Sequence, residues 1–147
     1  MAVGGAVIRV FVYGTLKPGQ ANWERALRGH VRRWRAAVIR GRLFDLATGF
    51  PAATAGNGRV HGYALHLPAE KLAVVDAIEG FEPGRNPGRN LYQRLTVFAF
   101  TPQGAPMGKV YAYFMDAEGR DRLGGTELPE GIWRPLVRSK DRAEPIG

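Results

Sequence analysis

The chain has 147 residues, 45% hydrophobic and 23% charged, the balance of a globular protein long enough to bury a core of its own. It contains no cysteine, which excludes disulfides, thiolate-bound zinc, iron–sulfur clusters and a thiolate nucleophile. The formal net charge is +8, from 21 Lys and Arg against 13 Asp and Glu, a charge that can draw anionic metabolites or nucleic acid and can equally serve solubility alone.

One domain is expected over 1–147, with its core in about 8–115 and a tail docked on it. No stretch has the length of a membrane span, and Met1 to Ile8 lacks the basic start of a signal peptide, so the expected location is the cytoplasm. His30, His61 and His66 are dispersed without an H-x-x-x-H pair, and no metal is expected.

The apolar run Ile8 to Tyr13 predicts a buried strand. It stops at Gly14 and turns through Thr15-Leu16-Lys17-Pro18-Gly19. A strand end of this kind can leave several N–H groups without ladder partners, a nest suited to a carboxylate or an oxyanion, or it can be an ordinary tight turn. Trp23, Ala26 and Leu27 recur at helical spacing and predict a short helix over about 22–30, with Asn22 as its N-cap. Ala37 to Phe44 reads as a strand. Trp34 stands among Arg32, Arg33 and Arg35, either a base-stacking platform or, as we prefer, a strand edge that carries charge to deter pairing. Leu46 to Gly58 reads as a turn-rich link and Arg59 to Leu67 as a strand. Pro68 to Glu79 is the clearest helix, with Leu72, Val75 and Ile78 on one stripe and Gly80 as its stop. Gly80 to Asn90 repeats Pro-Gly-Arg-Asn and reads as a mobile, basic loop. Leu91–Thr101 and Lys109–Met115 form a predicted antiparallel hairpin. Beyond Asp116, only Leu123, Leu128, Ile132-Trp133 and Leu136-Val137 have the character to dock on the body. These elements predict an α+β fold: a small, mixed, mostly antiparallel β-barrel with a few helices packed against it.

Glu79 stands out because it lies seven residues after Leu72 and four after Val75, which places a carboxylate on the apolar stripe at the helix C-terminus. Burial and the helix dipole would both raise its pKa toward neutrality, the range of a proton carrier. If the helix instead frays at Ile78, Glu79 turns to solvent. Asp76 and Glu82 are the alternative acids; Asp76 is close enough on the helix surface to couple to Glu79.

Tyr13-Gly14-Thr15-Leu16-Lys17, Gly41-Arg42-Leu43-Phe44-Asp45-Leu46 with Phe50-Pro51-Ala52, Asp76-Ala77-Ile78-Glu79-Gly80, Tyr92-Gln93-Arg94 and Val110-Tyr111-Ala112-Tyr113 stand in that order. In type, order and spacing they resemble the γ-glutamylcyclotransferase-like (AIG2-like) family over roughly 8–115, and the Tyr-Gly-Thr-Leu-Lys form looks closest to the γ-glutamylamine cyclotransferase branch. The resemblance implies no cofactor and a small-molecule γ-glutamyl substrate. It implies that the turn at Tyr13, Gly14, Thr15 and Leu16 binds the γ-glutamyl group and that Glu79 is the acid/base. Tyr92 and Tyr111 then hydrogen-bond the substrate from the sheet, unless they are barrel packing. Arg94 pairs with Glu79 or another carboxylate, or lies on the surface. A membrane partner is not expected, nucleic acid is disfavoured, and the oligomeric state is open. The two arginines of the 80–90 loop would suit an anionic leaving group.

Overall fold

A computed structural model describes residues 6–134. The elements in chain order are β1 (Val7–Val12), a five-residue π-helical turn (Trp23–Leu27), β2 (Arg33–Asp45), β3 (Pro51–Pro68) and a 3-10 turn (Ala69–Lys71) leading into α1 (Leu72–Ile78). A second 3-10 turn (Pro87–Arg89), β4 (Gln93–Phe100), β5 (Pro106–Phe114), α2 (Ala117–Arg122) and β6 (Thr126–Leu128) follow.

The strands close on themselves. β1 pairs antiparallel with β3, Val10 opposite Leu65, and β3 with β2 over most of its length, Ile39 opposite Val60. β2 meets β4 at Val38 and Phe100, β4 pairs with β5, and β5 returns to β1 in parallel at Val10 and Tyr111. The ring is therefore a five-stranded, mostly antiparallel barrel, as the sequence predicts, with β6 added to β2 at Leu43–Asp45.

Two apolar clusters explain the strand patterns. Phe11, Ile39, Val60, Ala64, Ala99, Val110 and Ala112 come from all five ring strands and fill the barrel. Val10, Val12, Leu65, Leu67 and Tyr113 face outward and are covered by the Trp23–Leu27 turn and by Val75 of α1. β1 is thus buried on both faces at Val10–Val12, which is why its sequence is a continuous apolar run rather than an alternation. The fit between β1 and β3 is tightest at Gly62, where an added Cβ would lie 2.1 Å from the Val12 carbonyl oxygen. Gly62→Ala is therefore expected to cost about 3 kcal/mol, read as a lowered urea midpoint, because backbone rather than a side-chain tip must move.

Three sequence expectations are corrected. The link expected over Leu46–Gly58 is a turn only up to Phe50; from Pro51 the chain is already β3, with Pro51–Thr54 in ladder opposite Arg42–Asp45 and the register shifting between Arg40 and Arg42. The helix expected over 22–30 is a single π-helical turn, and Asn22 makes no side-chain cap. The loop expected to be loose between 80 and 90 is cross-linked: Arg85 Nε donates to Asn90 Oδ1 at 2.8 Å, Arg85 also donates to the Gly80 carbonyl at 3.2 Å, and the Glu82 N–H donates to Asn90 Oδ1 at 3.1 Å.

Of the residues beyond Asp116, Leu123, Leu128 and Trp133 pack against the two apolar clusters. Trp133 is 2% exposed, and its indole N–H donates to Asp45 Oδ1 at 3.0 Å. Gly131, at φ +72°, lets the chain cross against Arg59, where a Cβ would collide with the carbonyl oxygen. Leu136 and Val137 lie outside the described residues. Among the described residues no helix is long and apolar enough to cross a membrane, and no three His, Asp or Glu side chains gather to hold a metal ion.

Candidate active site

β1 delivers Tyr13 to the end of the barrel, and the chain then turns. The Lys17 N–H donates to the Gly14 carbonyl at 3.0 Å, and the Asn22 and Trp23 N–H groups donate to the Thr15 carbonyl at 3.0 and 3.1 Å. Asn22, expected as a helix cap, instead donates from Nδ2 to Thr15 Oγ1 at 2.7 Å, pinning the turn from the side. The N–H groups of Gly14, Thr15 and Leu16 find no acceptor among the described residues. Gly14 is required by close approach: a Cβ there would sit 2.8 Å from Pro51 Cγ.

This turn lines a cavity of about 260 Å³ together with Phe50, Pro51, Ile78, Glu79, Leu91, Tyr92 and Tyr113. Residues more than sixty positions apart in sequence share its wall. The helix does stop at Ile78, but Glu79 keeps helical register for one more residue, its N–H donating to the Val75 carbonyl at 3.0 Å. Gly80, at φ +65°, then turns the chain away, and the Leu91 N–H donates to the Gly80 carbonyl at 2.9 Å. That bond brings Leu91 and Tyr92 alongside Glu79.

Among the described residues Glu79 is the only acidic or basic side chain of the Asp, Glu, Lys, Arg and His set that lines the cavity. No donor among the described residues reaches its carboxylate. Loss of water around it pushes its pKa from 4.5 up to about 7. Burial is the cause; neither the helix dipole nor coupling to Asp76 is needed.

The cavity wall is braced by hydrogen bonds that spend the tyrosine hydroxyls on the protein. Tyr13 donates to the Tyr113 carbonyl at 2.7 Å and accepts from the Ala53 N–H at 3.1 Å. Tyr92 donates to the Pro51 carbonyl at 2.5 Å. Tyr113 donates to Asp76 Oδ1 at 2.5 Å, and Asp76 Oδ2 accepts from Arg94, also at 2.5 Å. Burial raises the pKa of all three phenols, and the bond to Asp76 adds to the effect at Tyr113. Each is held as a neutral donor.

The sequence-predicted residues therefore divide. Tyr13, Gly14, Thr15, Leu16, Glu79 and Tyr92 meet at the cavity. Arg94 and Tyr111 do not line it. Arg94 meets a carboxylate, that of Asp76 rather than Glu79, and its guanidinium lies between the rings of Phe81 and Tyr111 at 5.1 and 5.0 Å. Asp76 is thereby removed from the set of alternative acids, being 6% exposed and already bonded twice. Glu82 lies in the exposed loop against Arg85. Sequence reasoning passed over Tyr113, two residues along the same strand face as Tyr111. The parallel register of β5 on β1 sets Tyr111 level with Val10, so Tyr113 is level with Val12 and reaches the turn. Trp34 packs edge-on against Trp23 at 5.1 Å, while strand alternation sends Arg33 and Arg35 to the opposite face.

Comparison with known proteins decides the family. Residues 10–135 match the family model described as "Gamma-glutamyl cyclotransferase, AIG2-like". The chain belongs to that family. It is thereby a γ-glutamylcyclotransferase-like enzyme. A γ-L-glutamyl-butirosin B γ-glutamyl cyclotransferase from Niallia circulans is 32% identical over 108 residues, 73% of this chain and 67% of that protein. An AIG2-like protein from Mus musculus shares the fold with a TM-score of 0.63 at 22% identity, over 90% of this chain and 97% of that one. YkqA from Bacillus subtilis matches with a TM-score of 0.60 at 20% identity; 95% of this chain is covered but only 43% of YkqA, so the cyclotransferase-like chain spans less than half of that protein.

Proposed function

We propose that the cavity binds a γ-glutamyl amide or amine and closes it to 5-oxoproline, releasing the amine. The observation that carries this reading is a desolvated carboxylate, Glu79, lining the same cavity as Gly14, Thr15 and Leu16, whose N–H groups have no acceptor among the described residues.

The chemistry needs no protein nucleophile. Glu79 takes a proton from the substrate α-ammonium. The freed amine attacks the γ-carbonyl carbon of the same molecule, forming the lactam C–N bond. The carbonyl oxygen becomes an oxyanion, and the backbone N–H groups of the turn stabilise it or hold the α-carboxylate. On collapse Glu79 returns its proton to the leaving nitrogen as the C–N bond breaks. It then takes the second proton of the ring nitrogen and passes it to the released amine, so that the lactam is neutral, the amine leaves as an ammonium and Glu79 is again a carboxylate. A carboxyl group with a pKa near 7 both accepts and returns a proton at neutral pH. Confining the substrate folded, with amine against carbonyl, supplies the proximity term, and the braced tyrosines keep the cavity from relaxing around it. No cofactor enters these steps. Tyr111 and Arg94 are proposed to act indirectly, by fixing Asp76, rather than by touching substrate.

Incubation with a panel of γ-glutamyl amides and amines, assayed for 5-oxoproline, tests the reading; release of glutamate alone would overturn it. The pH profile gives a second test. If Glu79 must be ionised to begin the reaction, kcat/KM rises with pH along a limb centred near 7, the value burial gives that carboxyl, rather than near 4.5. A limb at an ordinary carboxylate pKa would mean that Glu79 is not the group titrating.

A further inference from the structure

We infer that the substituent on the leaving nitrogen is uncharged and apolar, selected by a rim of Phe50, Ile78 and Leu91. This rests on the cyclisation reading above and concerns the substrate portion that reading leaves open. The polar wall of the cavity is the turn at Gly14–Leu16 with Asn22, and it is matched to the glutamyl half of a substrate. The remainder of the lining contributes Phe50, Ile78 and Leu91, and Leu91 stands 41% exposed at the opening. A large apolar side chain held open at the mouth of a cavity gains by covering an apolar ligand.

Charge argues the same way. A leaving group with a carboxylate, as in a γ-glutamyl amino acid, would need a cation. Among the described residues no lysine or arginine lines the cavity. Lys17 Nζ donates to the Trp133 carbonyl at 2.7 Å, Arg85 is bonded to Asn90 and Gly80 and paired with Glu82, Arg25 is exposed and bonds the Asn22 side chain, and Arg89 is exposed and outside the lining. The anionic leaving group that the arginines of the 80–90 loop suggest is therefore not served by Arg85. A leaving group with a distal ammonium would need a carboxylate, and Glu79 is engaged in proton transfer. Burying either charge unpaired at this rim is unfavourable, whereas an alkyl or arylalkyl amine meets matching surface.

The test compares kcat/KM for 5-oxoproline formation from γ-glutamyl-benzylamide and γ-glutamyl-isopentylamide with that from γ-glutamylglycine and from Nε-(γ-glutamyl)lysine. The apolar amides are expected to exceed both charged substrates by about tenfold or more. In Leu91→Arg, which keeps the Cβ that packs on Gly80, the ratio of γ-glutamylglycine to γ-glutamyl-benzylamide is expected to rise by about tenfold. A wild-type enzyme that forms 5-oxoproline but prefers γ-glutamylglycine or the lysine conjugate overturns the inference and leaves cyclisation standing. A Leu91→Arg variant that stays folded, as its melting curve shows, and has an unchanged ratio removes the rim from the leaving-group side. Absence of 5-oxoproline from all four substrates overturns cyclisation and this inference together.

Discussion

Glu79→Gln is expected to lower 5-oxoproline formation by about 10²–10⁴-fold while making the protein more stable at neutral pH. The first effect is the ordinary worth of a general acid/base, since glutamine fills the same space but carries no exchangeable proton of suitable pKa. The second follows from linkage. In the unfolded chain this carboxyl ionises near 4.5; in the folded cavity burial pushes it up to about 7. Between those values the folded protein holds a proton that the unfolded chain has lost, so wild-type stability falls as pH rises through the window and is level above it. The glutamine variant has no such titration. It should match wild type near pH 4 and exceed it above pH 7 by on the order of 1–3 kcal/mol, read by urea denaturation at the two pH values. A loss of activity joined to a gain in stability marks a group kept for chemistry at the expense of the fold. Reduced activity together with reduced stability at neutral pH would instead make Glu79 a structural residue.

Asp76→Ala should be among the most destabilising single changes in the protein, at about 3–5 kcal/mol. Asp76 is 6% exposed and accepts from both Arg94 and the Tyr113 hydroxyl. Its loss leaves a mostly buried guanidinium and a buried phenol without an acceptor. The removal of one partner is the costly event, so the double variant Asp76→Leu/Arg94→Met is expected to lose less than Asp76→Ala alone, measured by thermal or urea unfolding. Activity should fall as well. Asp76 stands one turn before Glu79, and its bond to Arg94 ties α1 to β4 while its bond to Tyr113 ties α1 to the cavity wall. Arg94 and Tyr111 thus reach the chemistry through packing: the guanidinium lies between Phe81 and Tyr111, which fixes the donor that fixes Asp76.

Much of this could be read from the sequence, for identifiable reasons. The β1 run and the stripe Leu72, Val75, Ile78, Glu79 carry strong periodic signals, because burial on a strand or a helix face leaves a pattern in the chain. Glu79 was visible as an acid out of place on such a face. Its inward position did not require a longer helix, since the C-cap residue keeps helical register before Gly80 breaks it. The beginning of β3 was not legible. Pro51, Gly56, Asn57 and Gly58 have turn character, yet they lie within one long strand whose start is set by pairing of Pro51–Thr54 with β2, at a register shift that sequence does not show. The place of Tyr113, rather than Tyr111, at the cavity is not legible in the sequence, because the parallel register between β1 and β5 joins segments a hundred residues apart and nothing local encodes it. Asn22 carried the signal of a helix cap, yet its side chain is spent on Thr15, where tertiary geometry offers a better partner. The hydroxyl network from Arg94 through Asp76, Tyr113 and Tyr13 likewise depends on packing that sequence spacing does not show.

The central claim is that the substrate's own amine, rather than water, attacks the γ-carbonyl in the cavity shared by Glu79 and the Gly14 turn. The direct measurement is turnover of a γ-glutamyl amide in ¹⁸O-labelled water with mass analysis of the acidic product. Intramolecular attack predicts 5-oxoproline carrying no oxygen from solvent; glutamate carrying one labelled oxygen would contradict the account.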